Sequence, residues 1–115
     1  MNPIHLLADL WVDDTSLVDT VEPGRTYLRE AALAGGAVIL HEHWHQFEPS
    51  GYSGVLMIAQ SHLSIHTWTD EALVAVDVFG CGSIDEEAVL DVLRHRFKPL
   101  RENVTRVARG ATPIR

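Results

Sequence analysis

Apolar residues recur along the chain with two different periods, and the places where one period gives way to the other mark the elements. From Pro3 to Val12, Ile4, Leu6, Ala8 and Leu10 share one parity, the pattern of a strand with one buried face. Asp13-Asp14-Thr15-Ser16 follows as a turn and capping cluster. Glu22 to Ala34 predicts a helix with Pro23 near its first turn, where a missing N–H costs nothing. Tyr27, Leu28, Ala31, Ala32 and Leu33 give that helix an apolar side, and Gly35-Gly36 ends it. Ala37 to Phe47 begins as a buried strand through Val38, Ile39 and Leu40, then turns polar in His41-Glu42-His43-Trp44-His45. After the turn signal Glu48-Pro49-Ser50-Gly51 come three strand-like runs, Gly54 to Ala59, His62 to Trp68 and Leu73 to Phe79. Gly80-Cys81-Gly82 breaks the alternation. Ser83 with Glu86 reads as a capping box opening a helix over Asp85 to Phe97, with Val89, Leu90, Val92 and Leu93 inward. Pro99 stops it, and Asn103 to Ala108 alternates as a last strand. The order β-α-β-β-β-β-α-β predicts an α+β domain: a two-layer sandwich of a mainly antiparallel sheet with helices on one face.

Composition narrows the function. The 115 residues suit one domain, residues 1–115, with no repeat, linker or low-complexity tract. No run of about 18 apolar residues occurs, and the first ten residues lack a basic stretch, so neither a membrane span nor a secretory signal is expected. A net charge of -7 argues against nucleic acid or an anionic membrane as partner and leaves room for a cationic ligand. One cysteine, Cys81, cannot form an intrachain disulfide, which reads most simply as a cytoplasmic location.

Three places carry candidate chemistry. His41, His43 and His45 alternate, so on a strand they point to one face with neighbours about 6.5 Å apart. That spacing lets two of them share a metal, but no further Cys, His or Asp pair is placed by sequence to complete a site, and no metal is expected. The second place is Gln60-Ser61-His62-Leu63-Ser64-Ile65-His66-Thr67-Trp68, where two hydroxyls and two imidazoles lie between strand-like runs. Serine near histidine suggests an activated nucleophile, yet there is no Gly-x-Ser-x-Gly elbow, and a strand with a polar face explains the composition equally well. The third is Cys81, whose flanking glycines let the backbone turn tightly and present the thiol; a small core residue is the plainer alternative.

Taken together, Gly54 to Trp68 and Ala75-Val76-Asp77-Val78-Phe79-Gly80-Cys81-Gly82 closely resemble the small prokaryotic S-adenosylmethionine decarboxylase proenzymes. His5-Leu6, His45-Gln46-Phe47 and Tyr52-Ser53-Gly54 sit where that family has similar stretches. The resemblance implies a decarboxylase of polyamine and spermidine biosynthesis that uses a protein-bound pyruvoyl group as electron sink. Ser61 matches the serine that becomes the pyruvoyl, by attack of its hydroxyl on the Gln60 carbonyl and β-elimination. The products would be a β chain, residues 1–60, and an α chain, residues 61–115, whose pyruvoyl takes the substrate amine as a Schiff base. His66 matches the proton-transfer group of processing, and Cys81 the general acid that returns a proton to Cα. Phe47, Ser53, Trp68 and Asp70 match substrate-pocket positions, and the resemblance also implies a homodimer with active sites between protomers.

The chain departs from the family pattern in Gln60 for the usual Glu, Thr69-Asp70 for Pro-Glu, and Pro3-Ile4 for Gly-Arg. These changes keep L-arginine or L-ornithine open as alternative substrates, since Asp70-Glu71 suits a guanidinium or ammonium as well as a sulfonium. An unprocessed, non-catalytic partner subunit is a further alternative. Ser61 and His66 are five apart and face opposite sides of an unbroken strand, so the resemblance requires a turn or bulge near residue 61.

Overall fold

The computed structural model describes residues 3–80 and 82–110. Strand β1 (Ile4–Trp11) leads into a short helix α1 (Ser16–Asp19) and helix α2 (Val21–Ala34). Strands β2 (Ile39–Gln46), β3 (Tyr52–Ile58), β4 (Ser61–Trp68) and β5 (Leu73–Gly80) follow, with a 3-10 turn at Thr69–Glu71. Helix α3 (Glu86–Phe97) and strand β6 (Arg101–Ala108) complete the described chain. The six strands form one sheet in the order β2-β3-β4-β5-β1-β6, and all five neighbouring pairs are antiparallel. Among the described residues no helix is long and apolar enough to cross a membrane.

The alternation read from the sequence is what sorts the two faces. Leu6, Ala8 and Leu10 of β1, Leu56 and Ile58 of β3, Leu63 and Ile65 of β4, and Val74, Val76 and Val78 of β5 are all buried. They meet Leu28, Ala31 and Ala32 of α2 and Val89, Leu90, Leu93 and Phe97 of α3 in one core. Each fully buried Val, Leu, Ile or Phe side chain among them contributes roughly 1.5–3 kcal/mol. Among the described residues the other face carries no helix. It is the two-layer α+β arrangement expected.

Three local expectations are corrected. Val38 and Leu40 are 61% and 63% exposed instead of buried. A register shift between Ile39 and His41 interrupts the β2 ladder, so Leu40 and His41 both face outward and Ile39 alone of the three packs on the core. The bulge also fixes the later parity: His41, His43 and His45 face away from the helices while Glu42, Trp44 and Gln46 face them. Glu42 there receives Arg25 Nε at 2.6 Å, Arg29, and Trp44 Nε1 at 3.1 Å, which fastens α2 to the edge strand. At α3 the cap is Asp85, whose carboxylate accepts the Ala88 N–H at 3.1 Å, and not Ser83. Val92 is only partly buried. Helix α1, with Leu17 and Val18 buried, is too short to show a period in the sequence.

Tyr52 ties the two layers together. Its phenol is buried and donates to the Leu17 carbonyl at 3.0 Å, and that burial pushes its ionisation above the ordinary phenol range. A Cβ on Gly24 would stand 1.9 Å from the Tyr52 oxygen, so only glycine admits the ring there.

Candidate active site

The β3–β4 connection is a two-residue loop, Ala59-Gln60, between the paired residues Ile58 and Ser61. Gln60 adopts φ +70, a left-handed conformation that costs a residue with a Cβ about 1–2 kcal/mol. Ser61 is therefore the first residue of a strand, placed immediately after a turn as the resemblance requires. Its side chain has the parity of Leu63 and Ile65, toward the helices, and Ser61 Oγ is buried with no hydrogen-bond partner among the described residues. An orphaned hydroxyl of this kind costs about 1–3 kcal/mol. Two destabilised groups thus stand next to one another at the Gln60-Ser61 bond.

His66 is not brought to Ser61. It lies five residues along the same strand, about 16 Å away by the strand rise, on the face without helices. There His66 Nδ1 and Ser53 Oγ are 2.8 Å apart across the ladder that pairs the two residues. His43 and His45 border the same shallow cavity of about 170 Å³, so two of the three alternating histidines flank this pair.

Phe47, Trp68 and Asp70 do come together. They line a cavity of about 380 Å³ at the far end of β4 with Thr67, Thr69 and Glu71. Phe47 and Trp68 are each about half exposed, at 46% and 50%, so aromatic surface is open to a ligand. Ser53 lies with His66 and not in this cavity. Cys81 falls outside the described residues. The neighbouring Gly80 and Ser61 each stand one residue beyond the cross-strand pair His62–Phe79.

One cluster escaped the sequence reading. His5 of β1, His62 of β4 and Asp77 of β5 place their ligand atoms within 4.8 Å of one another on the helix-free face. Asp77 accepts from Ser64, from His5 Nε2 at 2.5 Å and from His62 Nε2 at 3.3 Å. Partial burial works to raise the Asp77 carboxyl, but the hydrogen bonds from Ser64 and His5 and the adjacent imidazoles outweigh it and hold the group below its ordinary value. The parity of each strand was legible. What brings the three together is the crossover that seats β1 beside β5, which no local pattern announces.

A family model described as S-adenosylmethionine decarboxylase matches residues 4–110. The chain belongs to the S-adenosylmethionine decarboxylase family. Among its relatives in that family is the S-adenosylmethionine decarboxylase proenzyme of Fervidobacterium nodosum, 36% identical over 107 residues, which cover 92% of this chain and 78% of that one. The S-adenosylmethionine decarboxylase proenzyme of Thermomicrobium roseum is 38% identical over 108 residues, covering 92% and 91%. The crystal structure of the adenosylmethionine decarboxylase from Aquifex aeolicus matches with a TM-score of 0.85 at 32% identity, over 97% of this chain and 93% of that one. The family's fold is thus this sheet with its one helical layer.

Proposed function

We propose that the chain is the proenzyme of a pyruvoyl-dependent S-adenosylmethionine decarboxylase that cuts itself between Gln60 and Ser61. The observation that carries this reading is the buried Ser61 Oγ, without a hydrogen-bond partner among the described residues, directly after a residue at φ +70. A hydroxyl without a hydrogen-bond partner has no interaction to give up on attacking, and opening the left-handed turn relieves its conformational cost. The cut yields residues 1–60 as the β chain and 61–115 as the α chain. In the mature enzyme the pyruvoyl group derived from Ser61 supplies the electron sink for the carbanion left at Cα when the carboxylate departs.

The remaining roles fall to residues of this chain. His66, oriented by Ser53, moves a proton during processing. Cys81, next to Gly80, returns a proton to Cα in turnover. Phe47 and Trp68 offer flat aromatic surface for an adenine ring, and Asp70 is the carboxylate for the ribose hydroxyls or the cationic centre. A homodimer with active sites between protomers belongs to this reading, since Ser61 and its own His66 stand about 16 Å apart along β4. S-adenosylmethionine is the substrate the named relatives favour, and they lend the arginine or ornithine alternative no support.

Intact-mass measurement with a product assay tests the reading. Two pieces of about 60 and 55 residues, a blocked amino terminus on the second, and CO2 release from S-adenosylmethionine are expected. A chain that stays whole, or that turns over arginine or ornithine instead, overturns it.

A further inference from the structure

We infer that His5, His62 and Asp77 form a binding site for one divalent transition-metal ion of the nitrogen-preferring class, with Zn2+ as its reference member. The ligand atoms are Nε2 of each imidazole and Oδ2 of the carboxylate. None of the three residues belongs to the alternating set His41, His43 and His45. The site stands apart from the cleavage chemistry and does not depend on it.

The register of the sheet brings the ligands together. Phe79 of β5 is the cross-strand partner of both His5 on β1 and His62 on β4, so the two histidines flank one position. Asp77 stands two residues before Phe79 on the same strand and therefore on the same face. The Phe79 ring packs against both imidazoles, stacked on His5 at 4.9 Å and edge-on to His62 at 5.8 Å, which restricts their rotation. Ligands carried by three neighbouring strands are held in place by the backbone before an ion arrives.

Both Nε2 atoms approach the same carboxylate oxygen, at 2.5 Å from His5 and 3.3 Å from His62. Bond lengths near 2.0 Å put two ligands of a tetrahedral zinc ion about 3.3 Å apart. The His62–Asp77 pair already has that separation, and His5 has to withdraw by about 0.8 Å. Ser64 donates to the other carboxylate oxygen, the kind of outer hydrogen bond that orients a ligating carboxylate. His5 and Asp77 are largely buried while His62 is 37% exposed, so an ion has a side from which to enter. Asp77 and Ser64 also border a cavity of about 340 Å³, with room for water at a fourth position. Two imidazoles against one carboxylate disfavour Mg2+ and Ca2+, which take oxygen ligands.

Arg109 opposes the ion. Its Nη1 lies 3.1 Å from His5 Nδ1; a guanidinium can only donate, so it keeps the proton of a neutral His5 on Nε2. Ligation needs the reverse tautomer, with the lone pair on Nε2 and the proton on Nδ1. Arg109 is exposed and also lies over the Phe79 ring at 4.8 Å, so it can leave His5 and keep that contact. The affinity of the site is thus set partly by a cation that the ion must displace from its ligand. Once bound, the ion bridges β1 and β4, which β5 separates in the sheet.

The test is a calorimetric titration of chelator-stripped protein with ZnCl2, run on the wild type and on Ser61→Ala. One ion per chain is expected, with a Kd on the order of 1 µM or below. Ser61 supplies no ligand, so both proteins should bind alike whether or not the chain is cut. His5→Ala, His62→Ala and Asp77→Asn should each weaken binding by at least about 100-fold, and Ser64→Ala by about 10-fold. Arg109→Gln should tighten it roughly several-fold by sparing the displacement. Saturating Zn2+ should raise the melting temperature of the wild type by several degrees and leave that of Asp77→Asn unchanged, and Mg2+ should shift neither. Circular dichroism checks that each variant is folded, and the isosteric Asp77→Asn carries the test where an alanine variant is not. Absence of stoichiometric uptake of Zn2+, Co2+ and Mn2+ at about 100 µM overturns the inference. So does an affinity unchanged in the three ligand variants. Uptake kept by Asp77→Asn and lost when His43→Ala and His45→Ala are combined also overturns it, since it marks adventitious binding at exposed imidazoles.

Discussion

Ser53 Oγ and His66 Nδ1 stand 2.8 Å apart across the β3–β4 ladder, with His43 and His45 beside them and no helix above. The contact orients an imidazole that is otherwise exposed. Ser53→Ala is expected to slow self-cleavage by about 2- to 10-fold, the value of one hydrogen bond, while His66→Ala should nearly stop it. Time-resolved intact mass on both variants checks this; equal wild-type rates would remove the pair from processing.

Phe47→Ala and Trp68→Ala should each raise KM for S-adenosylmethionine by about 10- to 100-fold, as expected for loss of a base-stacking surface, with a smaller change in kcat. Asp70→Asn should also raise KM, by removing the carboxylate at the rim of the same cavity. Steady-state kinetics on cleaved enzyme separates these effects. A loss confined to kcat would place the aromatic pair outside the binding pocket.

The Asp77 carboxyl is depressed in the folded protein. It therefore contributes stability that is fully present above the unfolded value of about 4 and is withdrawn as pH falls through the lower folded value. In the uncut Ser61→Ala background, the melting temperature should drop between about pH 5 and pH 3, and the added change Asp77→Asn should flatten that drop. Parallel curves for the two proteins would show that the carboxyl carries none of the acid sensitivity.

Gly24→Ala and Gly54→Ala should destabilise by overpacking. A Cβ at Gly54 would stand 2.1 Å from the Trp44 ring, and one at Gly24 1.9 Å from the Tyr52 oxygen. Each is expected to cost about 1–3 kcal/mol, a fall of several degrees in melting temperature measurable by calorimetry. Wild-type melting would mean that the two rings move aside freely.

The parities of Ile4 to Leu10, Leu63 to Ile65 and Val74 to Val78 were enough to predict the sheet and its buried side, because period two is a local property. Leu40 was misjudged because one inserted residue reverses parity, and a bulge leaves no mark in an apolar run. Asp85 took the cap from Ser83 two residues later, a choice made by where α3 meets the core. Ser61, Phe47, Trp68 and Asp70 were reached through resemblance to a known pattern and not through periodicity. Asp77, His5 and His62 were invisible as a group, since their meeting depends on a strand from the start of the chain lying beside one from its second half.

The strand order gives a cut after Gln60 an unusual result. The first piece would own β1, β2 and β3, and the second β4, β5 and β6, yet β1 is clasped between β5 and β6. Three seams of backbone hydrogen bonds, β3–β4, β5–β1 and β1–β6, would then join the two polypeptides. Neither fragment holds a complete core. The halves are interlaced like the fingers of two hands, so scission frees a new amino terminus without freeing a subunit, and they part only when the whole sheet unfolds.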